Sequence, residues 1–65
     1  MADRIANEQT GREAVLVNDY GMWRAMLMEH GVRQREVERN RRSWRRRGDC
    51  VRHAQVWVDG KEVSE

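Results

Sequence analysis

The sequence predicts a mainly helical α+β domain: two helices over about residues 11–30 and 33–47, followed by a C-terminal β-hairpin over about 54–64. Three observations lead there. A capping signal opens a run of apolar residues at helical spacing, a Gly-Val pair separates it from an arginine-rich run, and Asp-Gly stands between two β-rich arms near the C-terminus.

A chain of 65 residues has room for one domain, which buries a smaller share of its surface than a domain of ordinary size. Isoleucine, leucine and valine together make up only 11 positions, and phenylalanine is absent. The apolar weight sits instead in three Trp and four Met, types enriched at interfaces. The net charge is only +2, so the composition does not point to disorder. A chain of this make-up gains stability from a partner, from DNA or from a second copy of itself. Its one cysteine, Cys50, excludes an internal disulfide. The polar start "MADRIANEQT" lacks the apolar stretch of an export signal, and no apolar run approaches the ~18 residues of a membrane span. The expected location is therefore cytoplasmic, the host cytoplasm if the protein is virus-encoded.

Residues 1–9 carry one large aliphatic side chain, Ile5, and read as a flexible lead-in to a single domain over 10–65. "TGRE" puts Thr10 at an N-cap and Glu13 at N3, a capping box. Leu16, Tyr20, Trp23 and Leu27 then recur at spacings of four, three and four, flanked by Val15, Met22 and Met26. A rival reading places a short strand at "AVLV" and a shorter helix from Asn18 or Asp19. Gly21 favours it, since glycine costs about 1 kcal/mol inside a helix. On a long helix the opposite side holds Ala14, Val17, Gly21, Ala25 and Met28. That side packs either within the domain or on another chain, which makes Gly21, Ala25 and Met28 candidate partner contacts and the first helix a candidate route to a homo-oligomer.

Gly31 suits the left-handed C′ position, with Val32 returning to Leu27 as in a Schellman motif. In the second helix Val37 and Trp44 share a narrow apolar stripe. Arg35, Arg39, Arg42 and Arg46 line up on the far side as a basic ridge, and Gly48 closes the helix. In "QVWVDGKEVS", Asp-Gly suits a type I′ turn. Val56, Val58 and Val63 would then face the helices while Trp57 points outward as a partner contact.

Catalysis has little support: His30 and His53 lie in different elements, and neither a nucleophile motif nor a glycine-rich phosphate loop is present. Cys50 and His53 with His30 offer three metal ligands where a structural zinc site takes four. No cofactor and no metal are expected. Between Arg33 and Arg52 nine arginines face three carboxylates, a net of +6 that leaves −4 for the rest of the chain. Such polarisation is the electrostatic footprint of phosphate binding. The plainer reading is a solvated helix face with Glu38 pairing Arg35, Arg41 or Arg42. Trp44 reads as core, Cys50 as a small buried side chain.

With a helix, a Gly-Val turn, a basic helix ending "SWRRRGD" and the hairpin "VWVDGKEV", residues 22–63 resemble the small winged helix-turn-helix domains of phage excisionases and the MerR-like group. The resemblance implies a second helix in the major groove, with Arg33, Arg35, Arg39, Arg42 and Arg46 towards double-stranded DNA and Lys61 at the wing meeting phosphate. The expectation is a non-enzymatic DNA-binding protein, an architectural factor or transcription regulator. The alternative is a protein-binding module, such as a phage-type inhibitor or adaptor of host machinery or a small virion component, which docks its Trp/Met/Arg surface on an acidic surface of a larger protein.

Overall fold

Val15 and Val17 sit in a run whose β-branched side chains lose χ1 freedom in a helix and pack well on a pleated surface. In the computed structural model, which describes residues 3–38 and 43–61, that run is a strand, and so is the apolar run Ala25-Met26-Leu27-Met28. The elements are β1 (Asp3–Asn7), β2 (Arg12–Asp19), β3 (Met22–Glu29), β4 (Val32–Arg33), α1 (Arg35–Glu38) and α2 (Arg47–Val58). The strands form an antiparallel sheet in the order β1-β2-β3-β4, and α2 packs across one face of it.

This corrects the mainly helical expectation element by element. The helix expected over 11–30 is the β2–β3 hairpin; of the one over 33–47, the described residues belong to β4, the single turn α1 and the entry to α2. The hairpin expected over 54–64 is, as far as Val58, the second half of α2. Asp3–Asn7, expected in a flexible lead-in, form β1 and pair along their whole length with β2. Val63, expected in the hairpin face, lies outside the described residues. The element order that carried the winged-helix resemblance is thus absent from the described part of 22–63.

Two left-handed turns explain the difference. Tyr20 (φ 53°) and Gly21 (φ 82°) join β2 to β3, and His30 (φ 50°) and Gly31 (φ 80°) join β3 to β4. Two successive positive φ values make the type I′ turn whose twist matches that of paired strands. Gly31 therefore closes a hairpin, and the Schellman motif expected there is found at Gly60 (φ 84°) instead. The Gly60 N–H donates to the Trp57 carbonyl at 3.0 Å and the Lys61 N–H to the Val56 carbonyl at 3.2 Å, the paired bonds of that cap.

Alternate strand residues Ala14, Leu16, Ala25 and Leu27 are buried beneath α2, which meets them with Cys50, Ala54, Trp57 and Val58. Those helix positions, spaced four, three and one apart, form a single stripe. Ile5, Trp23, Val37, Trp44 and Val51 pack around the edge of this core. The C-terminal end of α2 is fastened to the sheet. Thr10 Oγ1 donates to the Val58 carbonyl at 2.7 Å. The Arg12 guanidinium lies 4.0 Å from the centre of the Trp57 ring and also donates to the Trp57 carbonyl at 3.3 Å. These contacts satisfy carbonyls that a helix end leaves unpaired and add a cation–π contact. They fix the direction of α2, and with it the place of the arginines at its N-terminus.

Candidate nucleic-acid interface

The arginines divide into those with a carboxylate and those without. Arg4 pairs with Glu13, Arg12 with Glu29 at 2.9 Å, Arg24 with Asp19 at 2.8 Å, Arg47 with Asp3 at 2.6 Å and Arg52 with Asp49 at 3.2 Å. Arg33 grips Glu38 through Nε and Nη2, the closest approach being 2.8 Å. The hydrogen bond to Glu38, then its charge, raises the Arg33 pKa further. Arg35, Arg45 and Arg46 are exposed and make no ion pair among the described residues.

Glu38 is the buried end of this network. Its carboxylate also accepts the Leu27 N–H at 3.0 Å. β4 is only two residues long, so Leu27 lies beyond its reach on the outer edge of β3; the Gln34 N–H and the Glu38 carboxylate complete the pairing there. Further along the same edge, Trp23 and Trp44 exchange backbone hydrogen bonds of 2.6 and 2.9 Å. Trp44 therefore anchors the arginine segment to the sheet, while its ring packs at the core edge against His53, 4.6 Å between centroids.

From Trp44 the chain enters α2 through Arg45, Arg46 and Arg47. Arg46 is the N-cap, with extended backbone (φ −103°, ψ 132°) and no side-chain capping bond. A Cβ at Gly48 would meet nothing within 4 Å, so the first turn is open to its surroundings. Arginine beside the positive end of a helix dipole is unfavourable, and the same place favours anions. Asp49 in the first turn offsets part of this charge and is itself shared with Arg52.

The expected sites are redistributed. Arg35, Arg39, Arg42 and Arg46 do not form a ridge on one helix: Arg35 opens α1, Arg46 caps α2, and Arg39 and Arg42 lie outside the described residues. Arg33 is committed to Glu38. Lys61 is exposed as expected but follows the cap of α2 rather than standing on a wing, and its carbonyl accepts from Arg12 at 3.4 Å. Trp57, expected outward, is 4 % exposed, because it sits seven residues after Cys50 on the buried stripe. Ala25 is 1 % exposed beneath α2 and is not a partner contact. Gly21 belongs to the β2–β3 turn; Met28 alone of the four partner candidates stands on an open face built by the strands. The first helix expected to mediate self-association does not exist. Arg45 was missed, since on a continuous helix it lies off the ridge; the triplet Arg45-Arg46-Arg47 just before a glycine was its signal.

Cys50, His30 and His53 do not converge. Cys50 is buried in the core, His53 lies against Trp44, and His30 sits in the β3–β4 turn with its ring over Gly11. Burial lowers the His53 pKa, and its Nε2 is buried with no hydrogen-bond partner among the described residues.

The sheet face away from α2 is built from the other alternate residues. Ala6, Val15, Val17, Met22, Met26 and Met28 share it, with the cross-strand pair Val15–Met26 at its centre. Glu13, Arg4, Asp19 and Arg24 share the same face, and Arg33 adjoins it opposite Met28. No helix among the described residues is long and apolar enough to cross a membrane. Compared with protein-family models, curated proteins and solved structures, the chain matches none.

Proposed function

We propose that the protein is a non-enzymatic binder of double-stranded DNA that holds the phosphate backbone with the arginines at the entry to α2. The observation that carries this reading is the contrast between six arginines that have carboxylate partners and Arg45 and Arg46, which are exposed, have no carboxylate partner among the described residues and stand beside a helix N-terminus with no side-chain cap. A chain that used arginine only for solubility gains nothing by concentrating it against the dipole. Backbone N–H groups and guanidinium groups at one end of a helix suit phosphate oxygens. Arg35 and Lys61 are further exposed cations, and Arg39, Arg41 and Arg42 precede the site in sequence.

The test is the salt dependence of binding to a random-sequence duplex. Several released counterions give a steep linear fall of log K with log salt, and Arg45→Ala and Arg46→Ala should each reduce the slope by about 1. Absence of binding at low salt, or slopes unchanged in the double variant, overturns the assignment. The competing role of a protein-binding module has one observation in its favour, the apolar open face of the sheet.

A further inference from the structure

A sheet with one face in water normally reads as alternating apolar and polar residues, and near-continuous apolar strands belong to sheets covered on both sides. β2 and β3 are of the second kind: Ala14-Val15-Leu16-Val17 and Ala25-Met26-Leu27-Met28 interrupt alternation, and α2 covers only Ala14, Leu16, Ala25 and Leu27. The charges at the rim are treated differently from those at α2. Arg4, Arg24 and Arg33 are each paired, with Glu13, Asp19 and Glu38. The face is therefore apolar at its centre and electrically balanced at its edge, which suits neither nucleic acid nor a strongly charged protein.

The geometry points to a second copy of this chain as the occupant, the two open faces stacked as the layers of a β-sandwich. A copy of the same face offers equal numbers of guanidinium and carboxylate groups, so charge complementarity is met by symmetry, as an isologous interface requires. With the two-fold axis along the strands between β2 and β3, Val15 meets Met26 of the second copy. Arg24 comes alongside the second copy's Asp19, so the intrachain pairs join across the interface. Four rows of side chains on three strands cover roughly 15 by 25 Å, or about 400 Å² per copy. The total of about 800 Å² falls below the roughly 1,200–2,000 Å² of stable specific interfaces and belongs with weak, transient ones, so the pair is expected to separate on dilution. This inference does not rest on the DNA-binding reading.

Sedimentation equilibrium of the full chain, without nucleic acid and from about 10 µM to 1 mM, decides it. The expected mass rises from 7.8 kDa towards twice that value with concentration. Met26→Glu, at the centre of the face, should weaken association at least tenfold and hold the mass at one chain, whereas Arg45→Ala with Arg46→Ala should associate as the parent does. Should Met26→Glu fail to fold, Met26→Gln and amide shifts on dilution replace it, with changes expected at Val15, Val17, Arg24, Met26 and Met28. A one-chain mass throughout overturns the proposal and leaves the face to a foreign protein. Association that Met26 variants do not weaken, or shifts confined to another surface, overturns it as well.

Discussion

Replacing Glu38 by alanine removes the one acidic side chain that is buried among the described residues, 6 % exposed. Leu27, whose N–H it accepts at 3.0 Å, is itself 0 % exposed. The vacated position therefore leaves a backbone donor without a partner and away from water, at a cost of about 1–3 kcal/mol. The Arg33 side chain is 38 % exposed, so solvent takes over much of its charge and its share is the smaller one. A loss of about 1–3 kcal/mol is a large part of the stability of so small a domain, and lowers Tm by roughly 5–25 °C. Glu38→Gln keeps an acceptor for Leu27 and should cost about half as much. Urea unfolding followed by circular dichroism gives the totals, and exchange of the Leu27 amide reports the local opening directly. A double-mutant cycle with Arg33→Ala separates the two contributions. An alanine variant within about 0.5 kcal/mol of the parent, or Arg33→Ala as damaging as Glu38→Ala, refutes the view that the carboxylate completes the edge of β3.

Tyr20 is fully exposed at a φ of 53°, so Tyr20→Asn, the residue type preferred at that position of a type I′ turn, should stabilise by roughly 0.5–1 kcal/mol in thermal unfolding. Gly60→Ala meets both a positive φ and Thr10 Cγ2 at 3.2 Å from the new Cβ; a loss of about 1–2 kcal/mol is expected in urea unfolding, less for Gly60→Asn. His53, whose folded pKa lies below 6.5 because of burial, binds a proton more readily in the unfolded chain. Stability from this group is full above pH 6.5 and is lost as pH falls through the folded value, so Tm should drop on acidification from pH 7.5 to 5, and His53→Gln should flatten that segment. Arg46→Asp supplies the missing N-cap and reverses the charge beside the dipole, and should raise stability by about 1 kcal/mol while weakening DNA binding; calorimetry and a salt titration read the two effects separately.

The sequence showed which residues enter the core better than how they reach it. Leu16, Trp23, Leu27, Val37, Trp44 and Val58 read as inward-facing and pack in or around the core, whereas Val56, which reads the same way, is exposed, and Trp57, which reads as outward, is buried. The helical stripe was a coincidence of spacing: Tyr20, its fourth member, is the exposed corner of a turn. Period two disappears from β2 and β3 because both their faces are apolar, which leaves runs that fit either structure. A longer-range signal was present in Gly11, Gly21 and Gly31, ten residues apart, the length of an eight-residue strand and a two-residue turn. Asp59-Gly60 misled for a related reason. A left-handed glycine serves an I′ turn and a Schellman cap equally, and what decides is whether the preceding residues find a buried stripe at spacings of four and three, as Cys50, Ala54, Trp57 and Val58 do. The charge of the arginine segment is plain in the sequence; its helical periodicity misleads, since the segment divides at Trp44, where β-pairing with Trp23 takes over.

The two proposed surfaces constrain one another. Stacking through the open sheet faces puts the α2 helices on the two outer layers of the pair, because each helix lies on the opposite side of its own sheet. With the two-fold axis along the strands, Arg45 and Arg46 of the two copies lie at the same end of the pair, beside the edge where Trp44 meets Trp23, and in its two outer layers. The pair would present its two proposed phosphate-binding segments to two duplexes or to two parts of one. If both proposals hold, the weak sheet contact would act through local concentration: molecules gathered on a polyanion would reach the level at which the faces associate, and each association would add avidity without a new contact to DNA. Carboxylates spent on Arg4, Arg24 and Arg33 and withheld from Arg45 and Arg46 are consistent with this division, since the stacking face needs neutrality and the binding segment needs unpaired charge.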